Sequence, residues 1–208
     1  FLDIAVTPSV KAAQAANGVA DAWSDFHGNR TFDRFTEAET AFIAARDTFY
    51  LATVSETGWP YVQHRGGPPG FIRVADEHTV MIPDRRGNNR IDGLRNIIAD
   101  PRVALLFLVP GNGETLRVNG TASISVDPAL LVRCIMQGKH PQCVLVVQVQ
   151  TVFFQCARAI QRSRLWDAAA PRPAVPSAGA LLEALTDGGI EAGPYDAQLP
   201  GRQAATLY

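Results

Sequence analysis

The segment "FYLATVSETGWPYVQHR", residues 49–65, constrains the fold more than any other stretch. "FYLATVS" is β-branched and aromatic, "ETG" supplies turn residues, and "WPYVQHR" is extended again, which predicts a β-hairpin. "GGPPG" breaks the chain, and "FIRV" and "TVMIP" on either side of "ADEH" predict another pair. "RVALLFLVP" is apolar on both faces and predicts a buried strand. "GNGE" turns it into the alternating "TLRVNGTASIS", and "CVLVVQVQTVFFQ" predicts the last and longest strand. Hairpins force antiparallel pairing. About six strands of this length close most easily as a small barrel.

Helical signals flank the strands. The first 48 residues read as helical, with Thr7-Pro8 as cap and first-turn pair before an Ala-rich stretch that Asn17-Gly18 interrupts. Thr36 and Glu39 form a capping-box pattern ahead of a short helix that ends near Asp47. Asp127-Pro128 predicts a short helix through Ile135, and "ARAIQRSRLW" is helical or irregular. From Ala168 the chain is rich in Ala, Pro and Gly, and "SAGALLEALTDGG" predicts one short helix there. Three segments follow: an N-terminal helical arm over 1–35, a β domain over 36–167 and a tail over 168–208.

Composition removes several classes of function. A formal charge of −1 on 208 residues, 47% of them hydrophobic, gives no global basic field for nucleic acid. No apolar run approaches a membrane span. "FLDIAVTPSVKAAQ" lacks the charged and apolar regions of a signal peptide. The cysteines Cys134, Cys143 and Cys156 are odd in number and lack metal-like spacing, so no metal site is expected. They read as buried, reduced thiols in a cytoplasmic protein.

"MIPDRRGNNRIDGLRNI", residues 81–97, starts as a strand and ends as a helix. Backbone N–H groups at a helix start bind anions, and arginine adds a fixed fork of donors. Arg85, Arg86 and Arg90 lie here, and Asn88 and Asn89 tolerate unusual backbone angles and donate amides. The alternative is a solvated loop whose arginines serve solubility. The GxxxxGK[ST] pattern is absent, so this is no P-loop. In "VQHRGGPPG", His64 and Arg65 end a strand, and Gly66-Gly67 would let a flat ligand lie against the backbone. An ordinary turn with an exposed His-Arg pair is the competing reading. In "RSRLW", Arg162, Arg164 and Trp166 lie close together, as a basic helix end with a packing Trp also would. Taken together, the three place cations at neighbouring strand ends, which fits a phosphorylated planar ligand. No nucleophile or metal-ligand partner is identifiable for His64, so no catalytic residue is assigned.

These motifs, in the order "FYLATVSETGWPYVQHRGGPPGF", "PDRRGNNR…LRN", "DPRVALLFLVPG" and "LRVNGTA", resemble the pyridoxamine 5′-phosphate oxidase-related family of FMN-binding split barrels over about residues 36–167. The similarity is to a branch other than the vitamin-B6 oxidase itself, whose terminal Arg-Leu-x-Pro segment is not found. The resemblance implies a mainly β fold with helical flanks, a six-stranded antiparallel Greek-key split β-barrel. It also implies a homodimer with FMN at the subunit interface. His64-Arg65 stand where the family places a basic residue on the flavin, before Gly66-Gly67. Asn88, Asn89 and Arg90 stand at the phosphate loop, within a motif that includes Pro83, Asp84 and Arg85. Arg95-Asn96 resemble the family's following Arg-Asn, and Thr115 replaces a flavin-contacting glutamine. Arg164 and Trp166 resemble the segment that crosses to the other subunit's site. The implied function is an FMN flavoprotein, an oxidoreductase passing hydride or electrons to an unidentified small-molecule substrate. A non-enzymatic flavin-binding or redox-sensing protein, and a relative carrying deazaflavin or haem, remain the alternatives.

Overall fold

A computed structural model describes residues 7–18, 31–45, 48–85, 87, 90–171 and 174–206. In chain order the elements are α1 (Pro8–Ala16), β1 (Thr31–Phe32), α2 (Glu37–Ala44), β2 (Thr48–Val54), β3 (Pro60–Gly66), β4 (Arg73–Asp76) and β5 (Thr79–Asp84). There follow α3 (Asp92–Ala99), β6 (Arg102–Leu108), β7 (Thr115–Ser125), α4 (Pro128–Arg133), β8 (Cys143–Gln155), α5 (Arg158–Ser163), α6 (Ala178–Leu185) and α7 (Ala192–Ala205).

Local chemistry explains the boundaries. The Thr7 hydroxyl accepts from Val10 N at 3.4 Å and Pro8 opens α1. Thr36 and the buried Glu39 complete the capping box of α2, with Thr36 N donating to Glu39 Oε2 at 2.8 Å. In the β2–β3 hairpin, Ser55 N donates to Trp59 O at 2.8 Å and Gly58 takes a φ of 85°, a left-handed conformation that favours glycine. Pro60 opens β3, an edge strand, where a missing N–H is tolerated.

All ladders are antiparallel, and the sheet path is β3-β2-β6-β7-β8-β5-β4, with β1 paired to β8. The eight strands form one sheet, where about six were expected. β1, two residues long, is too short to carry a period, and the four-residue β4 is the weakest of the strands read from sequence. Among the described residues no ladder joins the ends β3 and β4, so the barrel expected to close is an open, rolled sheet. Its inner face is one core. Phe49 and Leu51 of β2 share it with Val80 and Ile82 of β5 and with Leu105, Leu116 and Leu145 from the strands between. Phe49 stacks on Phe107 at 5.4 Å and meets Phe71, just before β4, at 6.1 Å between ring centroids. A strand next to one end of the path thus touches the segment leading into the other. The inward series on β8 runs Leu145, Val147, Val149 and then Val152. That change of parity is a β-bulge, seen as a register shift opposite Asn119/Gly120. A smaller core of Met81, Cys134 and Val144 lies on the outer face beneath α4.

The flanks depart from the sequence reading. Of the stretch expected to be helical to residue 48, α1 and α2 are helices, while Thr31–Phe32 form β1. The last helical residue of α2 is Ala44, and Asp47 lies outside the described residues. The tail holds two helices where one was expected. The second, α7, contains Pro200 and Gly201, which read as breakers in sequence. Asp196 of α7 accepts from Gly179 N at 2.7 Å and from the Ser177 hydroxyl at 2.5 Å, tying α7 to the start of α6.

Candidate functional site

A cavity of about 680 Å³ opens between the free edge of β3, the end of β5 and the loop leading into α3. β3 alternates strictly, so Tyr61, Gln63 and Arg65 turn inward while Val62 and His64 turn out. Because β3 ends the sheet path, residues from both of its faces reach the cavity. Arg65 Nη1 donates to Asp84 Oδ1 at 2.7 Å, with both side chains largely buried. Arg85 Nη2 donates to the Cys134 carbonyl at 2.5 Å. Arg90 Nε donates to Asp92 Oδ2 at 2.9 Å, and the Tyr61 hydroxyl donates to the same oxygen at 3.4 Å. Asp92 thereby tightens Arg90's hold on its proton, through the hydrogen bond first and its charge second.

α3 begins at Ile91 without a side-chain cap, and Ile91 and Leu94 line the cavity. The helix start therefore carries N–H groups with no side-chain acceptor, the arrangement that favours an anion. Among the described residues, three buried side-chain nitrogens have no hydrogen-bond partner: Gln63 Nε2, Arg65 Nε and Arg85 Nε. All three residues line the cavity. A buried donor left unpaired costs about 1–3 kcal/mol, so the three are unfavourable in the protein as it stands. Burial pushes the Cys143 thiol up, Asp84 adds to that, and Arg65 opposes it. Among the described residues no group of three His, Cys, Asp or Glu side chains is arranged to hold a metal.

The structure gathers His64, Arg65, Gly66, Pro83, Asp84, Arg85 and Arg90 from the sequence-derived set around this cavity. Asn88, Asn89 and Arg86 lie outside the described residues. Gly67 does not line the cavity; a Cβ there would lie 2.8 Å from Phe71 Cγ, whose residue does line it. Asn96 Nδ2 donates to Thr53 Oγ1 at 3.0 Å, tying α3 to β2. Thr115 is buried at the start of β7, paired with Leu108 and Gln155. Trp166 Nε1 donates to Asn112 O at 2.6 Å in the β6–β7 turn, and Arg164 pairs with Asp167 at 2.5 Å. Sequence reasoning missed Gln63, Tyr61 and Gly93. The signal was present in the period-two alternation of β3, which puts Gln63 on the same face as Arg65. A Cβ on Gly93 of α3 would fall 2.0 Å from Gln63 Nε2, so the glycine makes room for the amide.

Residues 35–156 match the profile described as pyridoxamine 5′-phosphate oxidase, more than half of the chain. The chain belongs to the pyridoxamine 5′-phosphate oxidase family. No curated protein matches it. HupZ of Group A Streptococcus is 20% identical, with a TM-score of 0.48 over 59% of this chain and 94% of that one. A putative pyridoxamine 5′-phosphate oxidase from Lactobacillus delbrueckii is 22% identical, with a TM-score of 0.46 over 60% and 98%. An FMN-binding protein from Syntrophomonas wolfei is 13% identical, with a TM-score of 0.43 over 56% and 84%. Among the described residues no helix is long and apolar enough to cross a membrane.

Proposed function

We propose that the cavity binds FMN and that the protein is a flavin-dependent oxidoreductase acting on a small-molecule substrate. The buried donors unpaired among the described residues, Gln63 Nε2, Arg65 Nε and Arg85 Nε, carry the reading. FMN has what they lack: carbonyl and ring-nitrogen acceptors on a flat ring, and a phosphate. Arg85 has no carboxylate partner among the described residues, so with the α3 start it is the side chain suited to the phosphate. Arg65 already has Asp84 against it, so its part is to hold a donor in place rather than to add net charge. Bound FMN would supply hydride or electron transfer, while the protein binds, orients and screens.

On this reading the rolled sheet is the family's Greek-key split barrel and the active form is a homodimer. Trp59, Val62 and Tyr50 leave an apolar outer surface on β2, β3 and their turn, exposed by 73%, 61% and 44%. Thr115, Arg164 and Trp166 sit at the β6–β7 end, outside their own cavity, and serve the partner's site.

The test is an absorption spectrum of the purified protein followed by titration with FMN and riboflavin. A flavin spectrum separates FMN from deazaflavin and haem. A charge-assisted contact contributes about 1.5–3 kcal/mol, so Arg85→Ala should weaken FMN binding by roughly tenfold or more and leave riboflavin nearly unchanged. Equal loss for both ligands would remove the phosphate assignment. Reduction of bound FMN by NADH or NADPH distinguishes an enzyme from a flavin-binding protein.

A further inference from the structure

Two apolar surfaces are left uncovered among the described residues, and they complement each other. The first is the tail hairpin. Asp196 ties α7 to the start of α6, Ala192 N donates to Glu183 Oε1 at 3.2 Å, and the Arg202 guanidinium lies 4.5 Å from the Tyr195 ring centre. Among the described residues α6 and α7 pack extensively only on each other, and neither buries a hydrophobic side chain. Short helices are marginal in water unless an apolar face packs against something. Leu181 and Leu185, one turn apart on the same face of α6, stay 53% and 80% exposed.

The second surface is the mouth of the cavity. The bond from Ser55 N to Trp59 O makes these two a hydrogen-bonded pair. By alternation along the β2–β3 register, the main-chain groups of Val62 and His64 point away from β2, into the free edge of the sheet. Tyr50, Val62 and Ile91 are exposed hydrophobic residues that also line the cavity. A free strand edge beside exposed apolar side chains is a surface that native sheets cover.

Charge complements the shape. Glu183, Asp187, Glu191 and Asp196 against Arg202 give residues 174–206 a net charge of −3. At the mouth, Arg65, Arg85 and Arg90 against Asp84 and Asp92 leave +1. Opposite potentials of this kind steer two surfaces together. No residue of α6 or α7 lines the cavity of its own chain, which leaves a second copy as the source of the cover.

We propose that the α6–α7 hairpin of one protomer caps the cavity mouth of a second copy, with Leu181 and Leu185 seated on Tyr50, Val62 and Ile91. Two copies capping each other form a closed, two-fold pair. The cap keeps water from the ligand in the cavity. That closure over a flavin rests on the function proposed above; the contact between hairpin and mouth does not.

The test uses the full chain in a Cys156→Ser background, because Cys134 and Cys143 are buried and Cys156 is exposed. Two chains of different mass are co-expressed, stripped of flavin and oxidised, one carrying Val62→Cys and the other Leu185→Cys. A disulfide between the two chains is expected, and none when Val132→Cys, on α4, replaces Val62→Cys. Absence of the link, an equal link to position 132, or a link within a single chain that carries both Val62→Cys and Leu185→Cys would overturn the proposal. A second arm loads FMN and times its release. Leu181→Ser with Leu185→Ser should speed release by roughly tenfold, while Val132→Ser leaves it unchanged. An unchanged release rate in the leucine double variant would overturn the closure. If FMN does not bind, the flavin reading fails, and the cross-link still reads the contact.

Discussion

Arg65 and Asp84 lie 19 residues apart in sequence, yet their side chains meet at 2.7 Å with 16% and 15% of their surface exposed. Arg65 belongs to β3, one end of the sheet path, and Asp84 to β5, next to the other end. With the Phe49–Phe71 contact, this ion pair spans the gap where no ladder among the described residues closes the sheet.

Breaking one side of such a pair leaves a buried charge alone. Asp84→Asn should therefore destabilise the protein by about 3–5 kcal/mol. The variant also frees the Arg65 guanidinium toward the cavity, so added FMN should raise its melting temperature more than it raises the wild type's. Urea unfolding with and without FMN checks both. A loss under about 1 kcal/mol would mean that the pair contributes no more than an exposed one.

Gly93 and Gln63 form a testable couple. Alanine is the better helix former by about 1 kcal/mol, yet a Cβ at 93 would fall 2.0 Å from Gln63 Nε2. Gly93→Ala should cost about 1–3 kcal/mol in the wild type. In a Gln63→Ala background the three atoms nearest that Cβ, all of the Gln63 side chain, are gone, so the same change should become neutral or stabilising. A double-mutant cycle measures the coupling. Additive effects would show that the amide moves aside freely.

Gly67→Ala should lower the melting temperature of the ligand-free protein, because the new Cβ meets Phe71 Cγ at 2.8 Å and Cβ at 3.1 Å. Overpacking of this kind costs about 1–3 kcal/mol. A flat ligand lying against Gly66-Gly67, as the sequence reading has it, would instead make flavin occupancy fall more than apo-protein stability. Measuring both on one preparation decides between a packed ring of the core and a ring of the ligand.

Gly67 illustrates what sequence could and could not disclose. The hairpins were legible because period-two alternation and turn residues act locally, and so was the capping box of Thr36 and Glu39. The cluster of arginines near the β5–α3 turn was legible for the same reason. Their neutralisation was not. Asp84 meets Arg65 only because the sheet rolls, and nothing in the chain order places β3 beside β5. α7 was hidden by Pro200, since the hydrogen bonds from Gly179 and Ser177 to Asp196 come from a helix about 20 residues away. Gln63 was readable from the β3 alternation, but an amide among cations drew less notice than its chemistry warranted.

Asp100 gives the protein a small acid-sensitive contribution. Hydrogen bonds from the Arg102 side chain, then its backbone N–H, lower its pKa from 3.8 to about 2. The folded value lies below the unfolded one, so the stabilisation is complete above about pH 3.8 and fades as pH falls toward 2. Asp100→Asn should therefore be less stable than wild type at neutral pH, with the gap narrowing across that window. A gap that stays constant down to pH 2 would separate the effect from ionisation.

The bulge between β7 and β8 depends on a single hydrogen atom. Gly120 sits where the register shifts, and a Cβ there would lie 2.0 Å from Gln148 O and 3.3 Å from Val149 Cα. Both are backbone atoms of the neighbouring strand, so no side chain can rotate away and the ladder itself must open. The strands concerned carry Val118, Val147 and Val152, all fully buried. Gly120→Ala should thus cost about 3 kcal/mol or more, at the upper end of overpacking effects. Gly111 makes the comparison fair: its φ is 81° but nothing lies within 4 Å of its Cβ position, so alanine there should cost only the left-handed backbone, about 1–2 kcal/mol. Urea unfolding ranks the two, and hydrogen exchange at Val149 and Thr151 should speed up only in the Gly120 variant. If Gly111→Ala proves the more damaging, backbone angle rather than strand spacing governs this end of the sheet.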